Sequence, residues 1–264
     1  MSERADYPNS VPCWVAAVEP DPPRAAEFYT HLFGWETTEL MPPGYPAHYL
    51  MCSLRGRKVA AIVSDDGAPA PPQPLWATHI SVADADKTIT RIEQASGSLI
   101  GPPLTSHAGG RMAVVADPDG IGFCLWQPGE HHGAQLVNEP GVWAMSSLHT
   151  PDLETSRRFY GAVFGWQPEP FGHTTLFRLP GYVGGEPGQP VPRDVVAVMT
   201  PTSNGVPPHW NVNFWVADTD ATAAKAAQHG GSVLLAPFDT PGFRNAVLAD
   251  PQGAAFSISQ LLNM

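Results

Sequence analysis

Short apolar runs alternate with polar turns along this chain, and the runs keep two different periods. VPCWVAAV and VWAMSSL are strand-length apolar stretches, each followed by a turn through Asp21 or Asp152. Next, RAAEFYTHLF and TSRRFYGAVF carry apolar residues at helical spacing, with those aspartates as expected N-caps. Gly34 and Gly165 stand where each helix must stop. Strand-like material then resumes as AHYLMCSL and KVAAIVS in the first copy, and as TTLFRL and DVVAVMT in the second.

This grammar is a repeat. EPDPPRAAEFYTHLFGWE (19–36) matches TPDLETSRRFYGAVFGWQ (150–167), with Pro-Asp, Phe-Tyr and Phe-Gly-Trp in register. A second repeat is interleaved: WATHISVADADKTITRIEQASGSLIGPP matches FWVADTDATAAKAAQHGGSVLLAPF through Val-Ala-Asp-x-Asp, a helix, a Gly-Ser turn and a strand. Both continue into an Asp-Pro-x-Gly hairpin turn, at Asp117 and Asp250. The chain therefore reads as four copies of one strand–helix–strand–strand–strand unit, over roughly 12–66, 75–128, 142–200 and 208–261. One unit cannot bury both faces of its sheet, so units must pair. The expected fold is α+β: four βαβββ modules paired into two open-barrel domains, 10–129 and 142–262, joined by a linker over 130–141.

Composition narrows the function. A formal charge of −11 with no Lys/Arg cluster excludes a nucleic-acid partner, which needs a cationic footprint. No stretch approaches the roughly 20 apolar residues that span a bilayer, and the first residues carry no run of secretory-signal length. Three scattered cysteines, Cys13, Cys52 and Cys124, suit a reducing compartment. A cytoplasmic protein without membrane partners is expected.

The Phe-Tyr-x-x-x-Phe-Gly-Trp segments and the Asp-Pro-x-Gly turns resemble those of the vicinal oxygen chelate superfamily. That group includes glyoxalase I, extradiol dioxygenases, fosfomycin-resistance enzymes and bleomycin-binding proteins. More narrowly, the chain is similar to tandem glyoxalase-like proteins, some of which accompany aromatic antibiotic biosynthesis. The resemblance implies paired modules wrapping a cavity. In catalytic members, it implies His, Glu or Gln metal ligands on the first and last strands of each module.

Those positions can be counted. The first-strand position, fourteen residues before the Phe of Phe-Tyr, holds Trp14 and Met145. In the second and fourth modules it holds His79 and Asn213. Seven residues beyond the Asp of Asp-Pro-x-Gly stand Cys124 and Ser257. An indole N–H only donates and a thioether is soft, so neither suits a divalent ion. No metal site and no cofactor are expected.

Period-two alternation from these positions predicts the cavity lining: Trp14, His79, Ser81, Cys124 and Trp126 in domain 1, and Trp143, Met145, Asn213, Trp215 and Ser257 in domain 2. Such a lining fits a flat aromatic small molecule, and equally a packed core. Arg111 and Arg244 read either as anion anchors or as surface ion pairs. His131 and His132 read as linker residues. Three functions are ranked. Metal-independent binding of a small aromatic molecule in antibiotic or secondary metabolism comes first. Next is a metal-free lyase, isomerase or hydroxylase-associated enzyme using His79 as base or Cys124 as nucleophile. A glyoxalase-type metalloenzyme comes last. Four modules in one chain leave a monomer and a homodimer both open.

Overall fold

The computed structural model describes residues 3–64, 71, 73–105, 110–184, 191–203 and 205–262. The first module runs β1 (Pro12–Val18), α1 (Pro22–Phe33), β2 (Glu36–Glu39), β3 (Tyr49–Leu54) and β4 (Arg57–Val63). The second runs β5 (Leu75–Ser81), α2 (Ala85–Gln94), β6 (Ser98–Thr105), β7 (Arg111–Ala116) and β8 (Gly122–Gln127). The third has β9 (Trp143–Thr150), α3 (Leu153–Phe164), β10 (Gln167–Phe171), β11 (Thr174–Arg178) and β12 (Val195–Pro201). The fourth has β13 (His209–Trp215), α4 (Thr219–Gln228), β14 (Ser232–Thr240), β15 (Phe243–Ala249) and β16 (Ala255–Leu261). None of the described helices is long and apolar enough to cross a membrane.

The repeated residues form these elements as the sequence predicts. Asp21 and Asp152 cap α1 and α3 by accepting from the backbone N–H groups of Arg24 and of Glu154 and Thr155. Gly34 and Gly165 close the same helices at φ +76° and +75°, where a side chain would be strained. In Val-Ala-Asp-x-Asp, Asp84 and Asp218 cap α2 and α4. Asp86 and Asp220 pair with Arg111 and Arg244 at 2.7 and 2.5 Å. The two arginines thus serve as partly exposed ion-pair partners.

Modules one and two share one eight-stranded sheet, β2-β3-β4-β1-β5-β8-β7-β6, and modules three and four share another of the same order. β1 and β5 meet antiparallel at each sheet's centre, as do β9 and β13. Each sheet is open, because its two edge strands do not pair with each other. The cores, however, close crosswise. One cluster joins β1, α1, β3 and β4 to β13, α4, β15 and β16. The other joins α2, β7 and β8 to α3, β11 and β12. Modules pair in sheets as one with two and three with four, yet share cores as one with four and two with three.

Polar ties cross this seam in matched pairs. Tyr29 Oη donates to Asp250 and receives the Trp76 indole N–H at 2.8 Å. Tyr160 Oη donates to Asp117 and receives the Trp210 indole N–H at 3.1 Å. Both aspartates spend their other oxygen on turn N–H groups, of Asp119 and Ile121 in one case and of Gln252, Gly253 and Ala254 in the other. Trp35 donates to the carbonyl of Gly141, and Trp166 to that of Ser10. The Phe-Tyr, Phe-Gly-Trp and Asp-Pro-x-Gly motifs are the stitching between the two halves.

Candidate functional site

With helices and seam on one face of each sheet, the other face forms a cup. In domain 1 the register sets Trp14 opposite His79, His79 opposite Cys124, and Ser81 opposite Trp126. All five are buried. In domain 2, Asn213 faces Met145 and Ser257, while Trp215 pairs with Ser259. Met145, Asn213, Trp215 and Ser257 are each half-buried, so this cup is open.

Trp143 lies elsewhere. Pairing slips between Asn213 and Phe214, so Trp143 faces Phe214 and joins the seam core. Its indole donates to Ser146 Oγ, which receives Thr78 Oγ1 from the other half. One irregularity at Ala144 breaks the alternation that places this residue in the cup.

The domain 1 cup contains groups that the sequence does not announce. The segment after β8 turns back into it, bringing the His131 imidazole edge-on to Trp14, with ring centroids 4.5 Å apart at 85°. The same ring lies 5.7 Å from Trp126, whose indole N–H donates to the His131 carbonyl at 2.8 Å. Gly133 to Gln135 then wedge beside β1 and β4. Ala134 N–H donates to Cys13 O, and Gln135 N–H to Lys58 O, while Gln135 Oε1 receives Lys58 N–H. Tyr7 closes the rim, its hydroxyl donating to Ala134 O. The segment is a built part of domain 1, where the sequence suggests a plain connector.

Burial sets the ionisation of the cup. It holds His79 and His131 neutral, each pushed down to about 4. Each has one buried ring nitrogen without a hydrogen bond, Nδ1 of His79 and Nε2 of His131. Burial also pushes the Cys124 thiol up to about 12, so it stays undissociated at neutral pH. The Trp14 indole N–H has no partner of good geometry, though it lies near enough to Tyr49 to offset part of the rise that burial imposes on that phenol.

The domain 2 cup has a different chemistry. Asn211 Nδ2 donates to Ser257 Oγ at 2.8 Å, and Asn213 Nδ2 to Ser259 Oγ at 2.8 Å. Ser259 in turn donates to Asn245 Oδ1 at 2.7 Å. Ser147 Oγ sits 3.3 Å from His149 Nε2, and His149 stacks on His209 with ring centroids 4.6 Å apart. Burial, then the neighbouring His209, pushes His149 down to about 4. Trp215 and Phe243 form an aromatic wall, and beside Trp215 a recess of about 250 Å³ runs along Pro140 and Leu261. Asn211 and Ser259 were findable from sequence. They fall on the cup face by the same alternation as Asn213 and Ser257.

A model of the glyoxalase/bleomycin resistance protein/dioxygenase superfamily matches residues 13–125, and a glyoxalase-like domain model matches 145–259. The chain belongs to this superfamily. Among relatives, a "putative glyoxylase CFP32" of Mycobacterium tuberculosis is 39% identical, covering 98% of this chain and 97% of that protein. The "anthracycline biosynthesis protein DnrV" of Streptomyces peucetius is 35% identical, covering 97% and 94%. Among solved structures, an Mn(II)-bound glyoxalase from Novosphingobium aromaticivorans superposes with a TM-score of 0.64 at 15% identity, covering 97% of this chain and 83% of that one. The 2,3-dioxygenase LapB from Pseudomonas sp. KL28 gives 0.62 at 11%, covering 96% and 93%. At such identities the structures speak for the fold alone.

Many superfamily members bind a metal at the positions just described, so the donor set can be tested. The domain 1 positions hold Trp14, His79 and Cys124; extending the β1–β4 register two residues back from Ala16 and Ala61 adds Val59. Domain 2 offers Met145, Asn213 and Ser257, and the matching extension from Ser147 and Val198 adds Val196. At these positions one imidazole and one protonated thiol in the first cup, and a thioether, an amide and a hydroxyl in the second, do not fit a divalent ion, and His131, the second imidazole of the first cup, does not complete a ligand set with them. Among the described residues, no three His, Cys, Asp or Glu side chains are grouped to hold one.

Proposed function

We propose that this chain binds a small, flat aromatic molecule without a metal, sequestering or presenting it in secondary metabolism. One observation carries the reading: where metal-dependent relatives need ligands, the first cup carries an indole, an imidazole and an undissociated thiol, and the second a thioether, an amide and a hydroxyl. Aromatic faces grip a planar ring system, and a few neutral hydrogen-bonding groups orient it. The relative named for anthracycline biosynthesis supports an aromatic polyketide as the class of ligand.

The metal-free enzyme is less well supported. Its nucleophile Cys124 is an undissociated thiol in a closed cup, and its base His79 is shut in beside it. The test uses the eight tryptophans as reporters. Titration with 1,8-dihydroxyanthraquinone is expected to quench their emission saturably, and equally so after dialysis against a chelator. No saturable quenching by any of a panel of neutral polycyclic quinones overturns the proposal, as does quenching that disappears with chelator and returns with metal.

A further inference from the structure

We infer that the two cups are not equivalent: domain 2 takes the ligand, and domain 1 is filled by the chain's own His131. The inference rests on the reading that a cup of this protein binds a flat aromatic molecule.

In domain 1 the imidazole already does what such a ligand would do. It is a flat heteroaromatic ring lodged against the indoles of Trp14 and Trp126, with its backbone carbonyl tied to one of them. The seat is built for this segment. Gly133 adopts φ +127°, and a Cβ there would lie 2.4 Å from Cys13 O and 2.8 Å from the Tyr7 ring. Only glycine passes, so the approach of the chain into the cup is specified by sequence. The backbone bonds from Ala134 and Gln135 anchor it on both flanking strands. A ligand entering this cup must displace an imidazole whose backbone is tied to Trp126 and whose following residues are bonded to Cys13 and Lys58, against a wall of buried side chains.

Among the described residues, no linker ring lodges against the aromatic wall of domain 2, where Trp215 meets Phe243 alone, and the chemistry of that cup names the ligand more closely. The two Asn–Ser pairs span β13 and β16, with Ser147 alongside on β9. Asn211 spends its N–H groups on Ser257 and Ser147, and Asn213 one of its two on Ser259, so the amide oxygens accept while the second Asn213 N–H and the Ser257 hydroxyl donate. Arg244, the cation nearest on β15, is held by Asp220 and Asp239. A row of neutral donors and acceptors below an aromatic wall selects an uncharged planar molecule with adjacent carbonyl and hydroxyl oxygens on one edge. Among the described residues of these Asn–Ser pairs and the aromatic wall, none offers an anion a positive charge.

The full chain is titrated with 1,8-dihydroxyanthraquinone at pH 6, where this probe is neutral. The wild type is expected to bind one molecule per chain. Asn213→Leu should weaken binding at least tenfold, while His131→Gly should leave the first site intact and open a second. If His131→Gly fails to fold, quench mapping decides: Trp215→Phe should remove most of the ligand-dependent signal, and Trp126→Phe little of it. Two sites in the wild type, or binding that survives Asn213→Leu and reports through Trp126, overturns the inference while leaving the aromatic-binding reading standing. No saturable binding by the wild type overturns that reading and the inference with it.

Discussion

Glu19 follows β1 and ends in the seam beside Asp250, fully buried, with neither carboxyl oxygen hydrogen-bonded. The other copy of the repeat has Thr150 at this place, where the hydroxyl donates to Asp119 and receives Ser156. Burial first, and the Asp250 carboxyl next, push Glu19 up to about 9. The folded chain therefore keeps a proton that the unfolded chain releases above its ordinary value of 4.5. Stability from this group is whole below that value and drains away as pH rises toward 9, at up to about 1.4 kcal/mol per pH unit. Thermal melts of wild type and Glu19→Gln should nearly coincide at pH 5 and separate at pH 8.5, with the variant the more stable. A parallel alkaline decline in both would show that another group governs it.

At the scale of elements, the Tyr–Asp–Trp ties fasten α1 to the β15–β16 turn, and α3 to the β7–β8 turn. Removing the hydroxyl in Tyr160→Phe leaves Asp117 Oδ2 and the Trp210 N–H short of a buried partner. The expected loss is about 1–3 kcal/mol, read by denaturant unfolding, and Tyr29→Phe should behave alike. The linker makes a second prediction. Gly133→Ala forces the segment away from Cys13 and out of its seat, so emission from Trp14 and Trp126 should shift to longer wavelength as the cup wets. The elements themselves were legible because caps, helical stops and turn aspartates act locally, and repetition doubles every signal. β2 and β10 were not. ETTE and QPEPF are short, exposed edge strands whose residues show no apolar alternation. Nor was the placement of His131, since no local rule says where a Pro- and Gly-flanked segment goes once it leaves a strand. Trp143 was misplaced for a third reason: alternation is a two-residue clock, and one extra residue resets it.

Across the whole molecule, the crosswise cores make neither sheet self-sufficient. Residues 1–129 expressed alone would expose the surface of α1 and β1 that packs on Phe214 and Phe256, and the surface of α2 and β8 that packs on Phe159 and Tyr160. Neither half should give a cooperative melt, whereas the full chain should unfold in one transition by calorimetry and by tryptophan emission alike. Two separate transitions would refute the shared core. The same geometry explains which positions agree between the copies. Tyr29 and Tyr160, Trp35 and Trp166, Trp76 and Trp210, Phe123 and Phe256 are identical pairs, and all lie in the seam. Trp14 and Met145, His79 and Asn213, Cys124 and Ser257 differ at every step, and all share the cup register of their strands. Duplication here separated what must be remembered from what is free to be rewritten. A designer seeking a new ligand can vary either cup, one residue at a time, while the instructions for assembling the chain stay on the other face of the same strands.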